Sequence, residues 1–213
     1  MRIGNWISRL FHRRAVEPAP RTPTAPAPTG PARPPVDTFE PSAPMKLSLG
    51  KVTGYSGTEQ QKLAQATTLM VAVLNSREFR DEVLGARFQG QPGFADEARS
   101  PREIYAAIRA AKENYTDAAD GEVDLNVSLE DFSWFQRHTV GYTTPESDTL
   151  TTNRRFFGSF TPAEVAGHLS HEWLHKLGFE HDFAATADRP YSVPYAVGEL
   201  IERLAKGPLT PLS

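Results

Sequence analysis

None of the 213 residues is cysteine. Disulfides, cysteine-ligated zinc ribbons, iron–sulfur clusters and thiol nucleophiles are therefore excluded, and any bound metal must sit on His, Asp or Glu. An excess of charge of one sign is lacking too: 23 basic against 26 acidic residues leave a formal charge of −3. Nucleic-acid binding calls for a strongly basic domain, so no nucleic-acid partner is expected. No apolar stretch approaches the ~18 residues of a membrane-spanning helix. A secretory signal is also missing, because no continuous apolar core with a small-residue cleavage site follows the N-terminus. The compartment stays open between the cytoplasm and export by a route without a signal peptide. The length suits one domain plus a tail, and such a domain can bury a sufficient core without a covalent or metal staple.

Proline is abundant but unevenly spread. Ten of the 18 prolines lie between Pro18 and Pro44, with Ala, Thr and Arg in the gaps. That stretch has little to bury and is expected to be an extended linker over residues 15–44. Ahead of it, Ile3, Trp6, Ile7, Leu10 and Phe11 form one helical stripe, and Arg2, Arg9, Arg13 and Arg14 surround it. Residues 1–14 thus read as a basic amphipathic segment, suited to weak docking on an anionic membrane surface or on a protein. Six arginines against three acids give residues 1–44 a charge of +3, and the total of −3 leaves −6 for the remainder.

From Met45 onward the pattern is globular, giving a domain over residues 45–213. Leu47, Leu49 and Val52 suggest a strand. Thr58 with Gln61 reads as a capping box opening a helix to Leu74, and a second helix follows from Ser76 to the stop at Gly85. Residues 90–95 read as loop. Ser100 with Glu103 opens a third helix through Ile108 and Ala111. Val123, Leu125, Val127 and Leu129 alternate with polar residues as in a half-buried strand. Residues 139–143 and 150–157 read as two more strands around a turn at 145–148. Helices mixed with a few strands, without regular βαβ spacing, define an α+β layered domain.

The informative segment runs from Thr161 to Asp182. Thr161 and Glu164 form another capping box, with Pro162 at the first helical position, and the helix can run to Leu177 and end at Gly178. His171 and His175, four residues apart, share one face and can hold one cation. Glu172 points about 100° around the helix, a poor direction for ligation but a suitable one for taking a proton from water. Gly178 lets the chain turn, and His181 follows as a third ligand. Three neutral imidazoles suit one catalytic Zn²⁺ with an open fourth position.

The residues from His171 through His181 match H-E-x-x-H-x-x-G-x-x-H, and the chain thereby resembles the metzincin zinc peptidases. With Asp182 following, the motif is most similar to the adamalysin-type and archaelysin-type branches. The resemblance implies a zinc peptidase acting on polypeptides, with a small twisted sheet, an active-site helix and a C-terminal helix. It implies His171, His175 and His181 as ligands and Glu172 as general base. An edge strand, at residues 139–143 or 150–153, would pair with extended substrate. One departure stands out: these enzymes carry a Met in a turn beneath the metal, whereas Met1, Met45 and Met70 all lie upstream. Tyr191-Ser192-Val193-Pro194-Tyr195 is the segment that could replace that turn. Tyr195 matches a tyrosine that steadies the oxyanion in the astacin-like branch, or else caps the core beside a helix over residues 196–204.

Other residues have plainer readings. His168 lies near the ligand face as a structural or outer-sphere group, and His138 is ordinary. Trp173 and Leu174 are core by spacing, and Trp134 with Phe135 is expected to pack. Asp182 could orient a ligand His or hold the following loop. Two functions follow: a zinc endopeptidase, or a catalytically silent binding or adhesion module stabilised by zinc.

Overall fold

The computed structural model describes residues 43–88, 99–116, 118–136, 138–144, 147–182 and 186–212. The amphipathic segment, all but the end of the proline-rich linker, the 90–95 loop and two residues of the 145–148 turn lie outside them. The elements in chain order are β1 (Lys46–Thr53), α1 (Gly57–Leu74), α2 (Arg77–Gly85), α3 (Pro101–Ala110), β2 (Glu122–Glu130), β3 (Gly141–Tyr142), β4 (Thr149–Asn153), α4 (Arg154–Ser159), α5 (Pro162–Lys176) and α6 (Val193–Leu204). The α+β class is as the sequence predicts.

The sheet is open and mixed, in the order β1-β2-β4-β3, with β3 antiparallel to β4 and the other pairs parallel. Three helices separate β1 from β2, the kind of long crossover that parallel neighbours require. Along β2 the side chains of Val123, Leu125, Val127 and Leu129 are all buried, so the alternating pattern was a faithful guide to the core face. Residues 150–153 are interior, between β2 and β3, and not an edge. Only the two residues of β3 form that edge, fewer than the five predicted. The reason is local: the Asn153 side-chain amide donates to the Thr139 carbonyl at 3.0 Å, replacing a strand-to-strand bond.

Two boundaries also move. The predicted strand over 150–157 stops at Asn153, whose Oδ1 accepts from the Arg155 amide at 3.1 Å and caps α4. Asn is a strong helix N-cap, and here that local bond ends the ladder. The capping box of α1 is Ser56 with Glu59, two residues ahead of the predicted Thr58 and Gln61. Glu59 accepts from the Ser56 amide at 2.7 Å and from Arg154 Nη1 at 2.5 Å. A charged acceptor with two such donors outcompetes a neutral glutamine. The Arg154 and Ser56 bonds hold the Glu59 carboxyl near a pKa of about 2. Because that value is depressed, its stabilising contribution is present above the ordinary carboxylate range and is lost as the pH falls toward 2. Glu59→Gln should therefore flatten the acid limb of a Tm-against-pH curve between about pH 4.5 and 2, and an unchanged limb would assign it elsewhere.

Helix α5 packs between α1 and α6. Its contact with α6 is close because two glycines face each other. A Cβ on Gly167 would lie 2.7 Å from the Gly198 carbonyl oxygen and 2.9 Å from Glu202 Cβ. This close crossing brings the start of α6 to the middle of α5. Gly167→Ala is expected to cost about 1–3 kcal/mol by overpacking, a fall in Tm of roughly 2–12 °C for a domain of this size. Gly158→Ala, where a Cβ meets nothing within 4 Å, should be neutral or mildly stabilising in the same thermal melt.

Candidate metal centre

Helix α5 starts at the predicted box: the Glu164 amide donates to Thr161 Oγ1 and the Thr161 amide to Glu164 Oε2. It ends with Leu177 as C-cap and Gly178 at φ +83°. The Gly178 amide bonds the His175 carbonyl and the Phe179 amide the Leu174 carbonyl, both at 3.1 Å, which satisfies the last turn and reverses the chain. That reversal returns His181 to the face carrying His171 and His175.

The three imidazoles converge. One nitrogen from each lies within 4.8 Å of the other two, the one such group of His, Asp or Glu among the described residues. His171 Nε2 and His181 Nε2 are 3.1 Å apart. The opposite nitrogens are engaged by backbone: His175 Nδ1 donates to the Phe179 carbonyl at 2.8 Å and His181 Nδ1 to the Asp182 carbonyl at 2.9 Å. The His171 ring donates to the Pro194 carbonyl. Such bonds fix the tautomer that leaves Nε2 lone pairs aimed inward. Burial and the neighbouring imidazoles hold His171 well below its usual pKa, and burial brings His181 to about 4. Burial is the largest influence on His175 and disfavours its charged form, but Glu180, with Oε2 3.5 Å from Nδ1, Glu172 and the Phe179 carbonyl together outweigh it and move the pKa up. This group could bind a metal ion, since neutral lone pairs crowded together are the donors a cation takes.

Glu172 is only 7% exposed. Burial raises its carboxyl to about 7, against the pull of His175 and Lys176. His168 stands outside the cluster: its Nε2 pairs with Thr152 Oγ1 at 3.0 Å and its Nδ1 lies 3.8 Å from Glu172 Oε1. It is a structural link from α5 to β4. A Cβ on Gly141 would lie 2.6 Å from the His168 ring, so the edge strand β3 crosses directly over it.

Tyr195 sits in the first turn of α6, which begins at Val193 rather than at residue 196. Its ring centroid is 4.6 Å from that of His171 and 4.7 Å from that of His181. Burial raises its hydroxyl pKa, partly offset by Arg189. The Arg189 guanidinium lies 4.7 Å over the ring and donates to the hydroxyl oxygen. A 3-10 turn (Arg189–Tyr191) leads into the cap at Ser192, and Val193 and Pro194 are buried. The Asp182 side chain holds the following loop by accepting from Thr186 Oγ1 at 3.3 Å, while its carbonyl orients His181.

Trp173 and Leu174 are core, as expected, and Trp173 Nε1 also donates to the buried Glu113 at 2.7 Å. Trp134 and Phe135 overturn their expectation: they are 69% and 90% exposed on a 3-10 turn beyond β2, stacked edge to face at 5.7 Å. Their hydrophobicity suggested packing, but none of the described residues covers this three-residue turn past the sheet enough to bury them. Sequence reasoning missed Glu180 and Arg189. Glu180 had a signal, since an acid one residue before the third His can reach back to the second. Arg189 had none, because only the close α5–α6 crossing makes it a neighbour. Set against family models, curated proteins and solved structures, the chain matches none of them.

Proposed function

We propose that the chain is a zinc-dependent peptidase of the metzincin kind, probing polypeptide substrates across the face formed by α5 and β3. The observation that carries the reading is the pairing of three inward-facing imidazoles with a buried carboxyl on the same helix. Two nitrogens 3.1 Å apart fit one tetrahedral ion, which spaces nitrogen ligands about 3.3 Å apart at zinc's bond length. His171, His175 and His181 would hold the ion. When bound, zinc supplies Lewis acidity, acidifying water and polarising a carbonyl.

The chain's own groups do the rest. Glu172 takes the proton from the attacking water as its oxygen bonds to the peptide carbon, and passes it to the amide nitrogen as the C–N bond breaks. Tyr195 offers its hydroxyl as a hydrogen-bond donor to the developing oxyanion and keeps its proton, its own oxygen held by Arg189. The Phe179, Asp182 and Pro194 carbonyls keep the imidazoles oriented. The deciding experiment measures zinc content together with cleavage of an unfolded protein. Stoichiometric zinc with turnover supports the peptidase; zinc without turnover supports the silent binding module.

A further inference from the structure

A groove of about 530 Å³ lies between α2 and α6, with Pro190 and Tyr191 of the 3-10 turn in its lining. Phe88, Pro190, Tyr191, Ala196 and Leu200 give it an apolar lining. Glu82, Glu199 and Arg203 add charged groups to the lining, and Arg203 pairs with Glu82. None of these residues contributes to the metal centre.

We infer that this groove is the docking site of the chain's own residues 1–14. The stripe of Ile3, Trp6, Ile7, Leu10 and Phe11 offers anchors at the i, i+3, i+4 and i+7 spacing by which an amphipathic helix enters an apolar groove. A cavity of about 530 Å³ has room for two or three such side chains. The signs of charge agree: the segment carries Arg2, Arg9, Arg13 and Arg14, and everything beyond residue 44 is net −6.

Reach agrees as well. Met45 is tied to Asn75 through both its amide and its carbonyl, and α2 begins two residues later. The groove starts at the other end of that helix, beside Glu82, Gly85 and Ala86. A nine-residue helix separates the two points by about 14 Å. Residues 15–42, proline-rich and extended at about 3.1 Å per residue, reach up to about 87 Å, so the groove lies within the segment's range. This inference does not depend on the metal or on peptidase activity.

The cysteine-free background makes the test direct. Full-length Leu10→Cys/Ala196→Cys should form an intrachain disulfide under mild oxidation at least ten times faster than Leu10→Cys/Lys51→Cys, with the second thiol on β1. Adding Trp6→Glu should abolish the difference. Equal rates in the two pairs overturn the proposal. A crosslink joining two chains also overturns it, in favour of docking between copies. Hydrogen exchange on an otherwise unmodified chain gives a second reading: Trp6→Glu should speed exchange in residues 82–88 and 191–200. Unchanged exchange there, with the variant's binding to anionic phospholipid vesicles lost, would assign the stripe to a membrane surface instead.

Discussion

Glu172→Ala is expected to retain zinc and lose about 10²–10⁴-fold of protein-cleaving activity, the usual worth of a general base. The side chain lies on the ligand helix but contributes no atom to the converging group, so its removal leaves the three nitrogens in place. It is also nearly buried, and deleting a carboxyl whose charged form burial disfavours should leave the fold intact. Glu172→Gln isolates the proton transfer, because it keeps the volume and removes only the basic oxygen. Zinc by elemental analysis and cleavage of an unfolded protein, measured on the same samples, read out both halves. Undiminished cleavage by both variants would remove Glu172 from the chemistry. If the parent is itself inactive at full zinc occupancy, the silent-module reading takes over.

The convergence of His171, His175 and His181 was legible because its information is local. Helix period and one glycine bring three histidines together without help from the rest of the chain, and Gly178 adopts the positive φ that the reversal requires. The core face of β2 was equally readable from its spacing, and so were Trp173 and Leu174 as core. Elements whose limits depend on competition were not. Asn153 had to be seen choosing between a ladder and a cap, and Glu59 choosing Arg154, 95 residues away. The start of α6 and the position of Tyr195 depend on Gly167 meeting Gly198, two residues that carry no side-chain signal. Trp134 and Phe135 show the converse limit, since composition cannot reveal that the described residues leave a short turn exposed.

His181→Ala is expected to abolish stable zinc binding and turnover together while leaving the far-ultraviolet circular dichroism unchanged. Its loss removes one of three ligands, so the affinity should fall by more than the roughly 10–100-fold that loss of an outer-sphere partner costs. The fold should survive because its core is continuous across the helices and the sheet, from Met45 to Leu204. The metal would add only a linkage term, about 4 kcal/mol at a thousandfold excess over Kd. Chelation of the parent should therefore lower its Tm to that of His181→Ala without unfolding it at 25 °C, and zinc should restore both stability and cleavage. A module that kept zinc for folding would instead unfold on chelation, so a cooperative loss of helix at 25 °C would turn the site from catalytic to structural. The two outcomes separate because His181 stands on a loop after α5, held by a backbone carbonyl, where metal can organise the site without building the core.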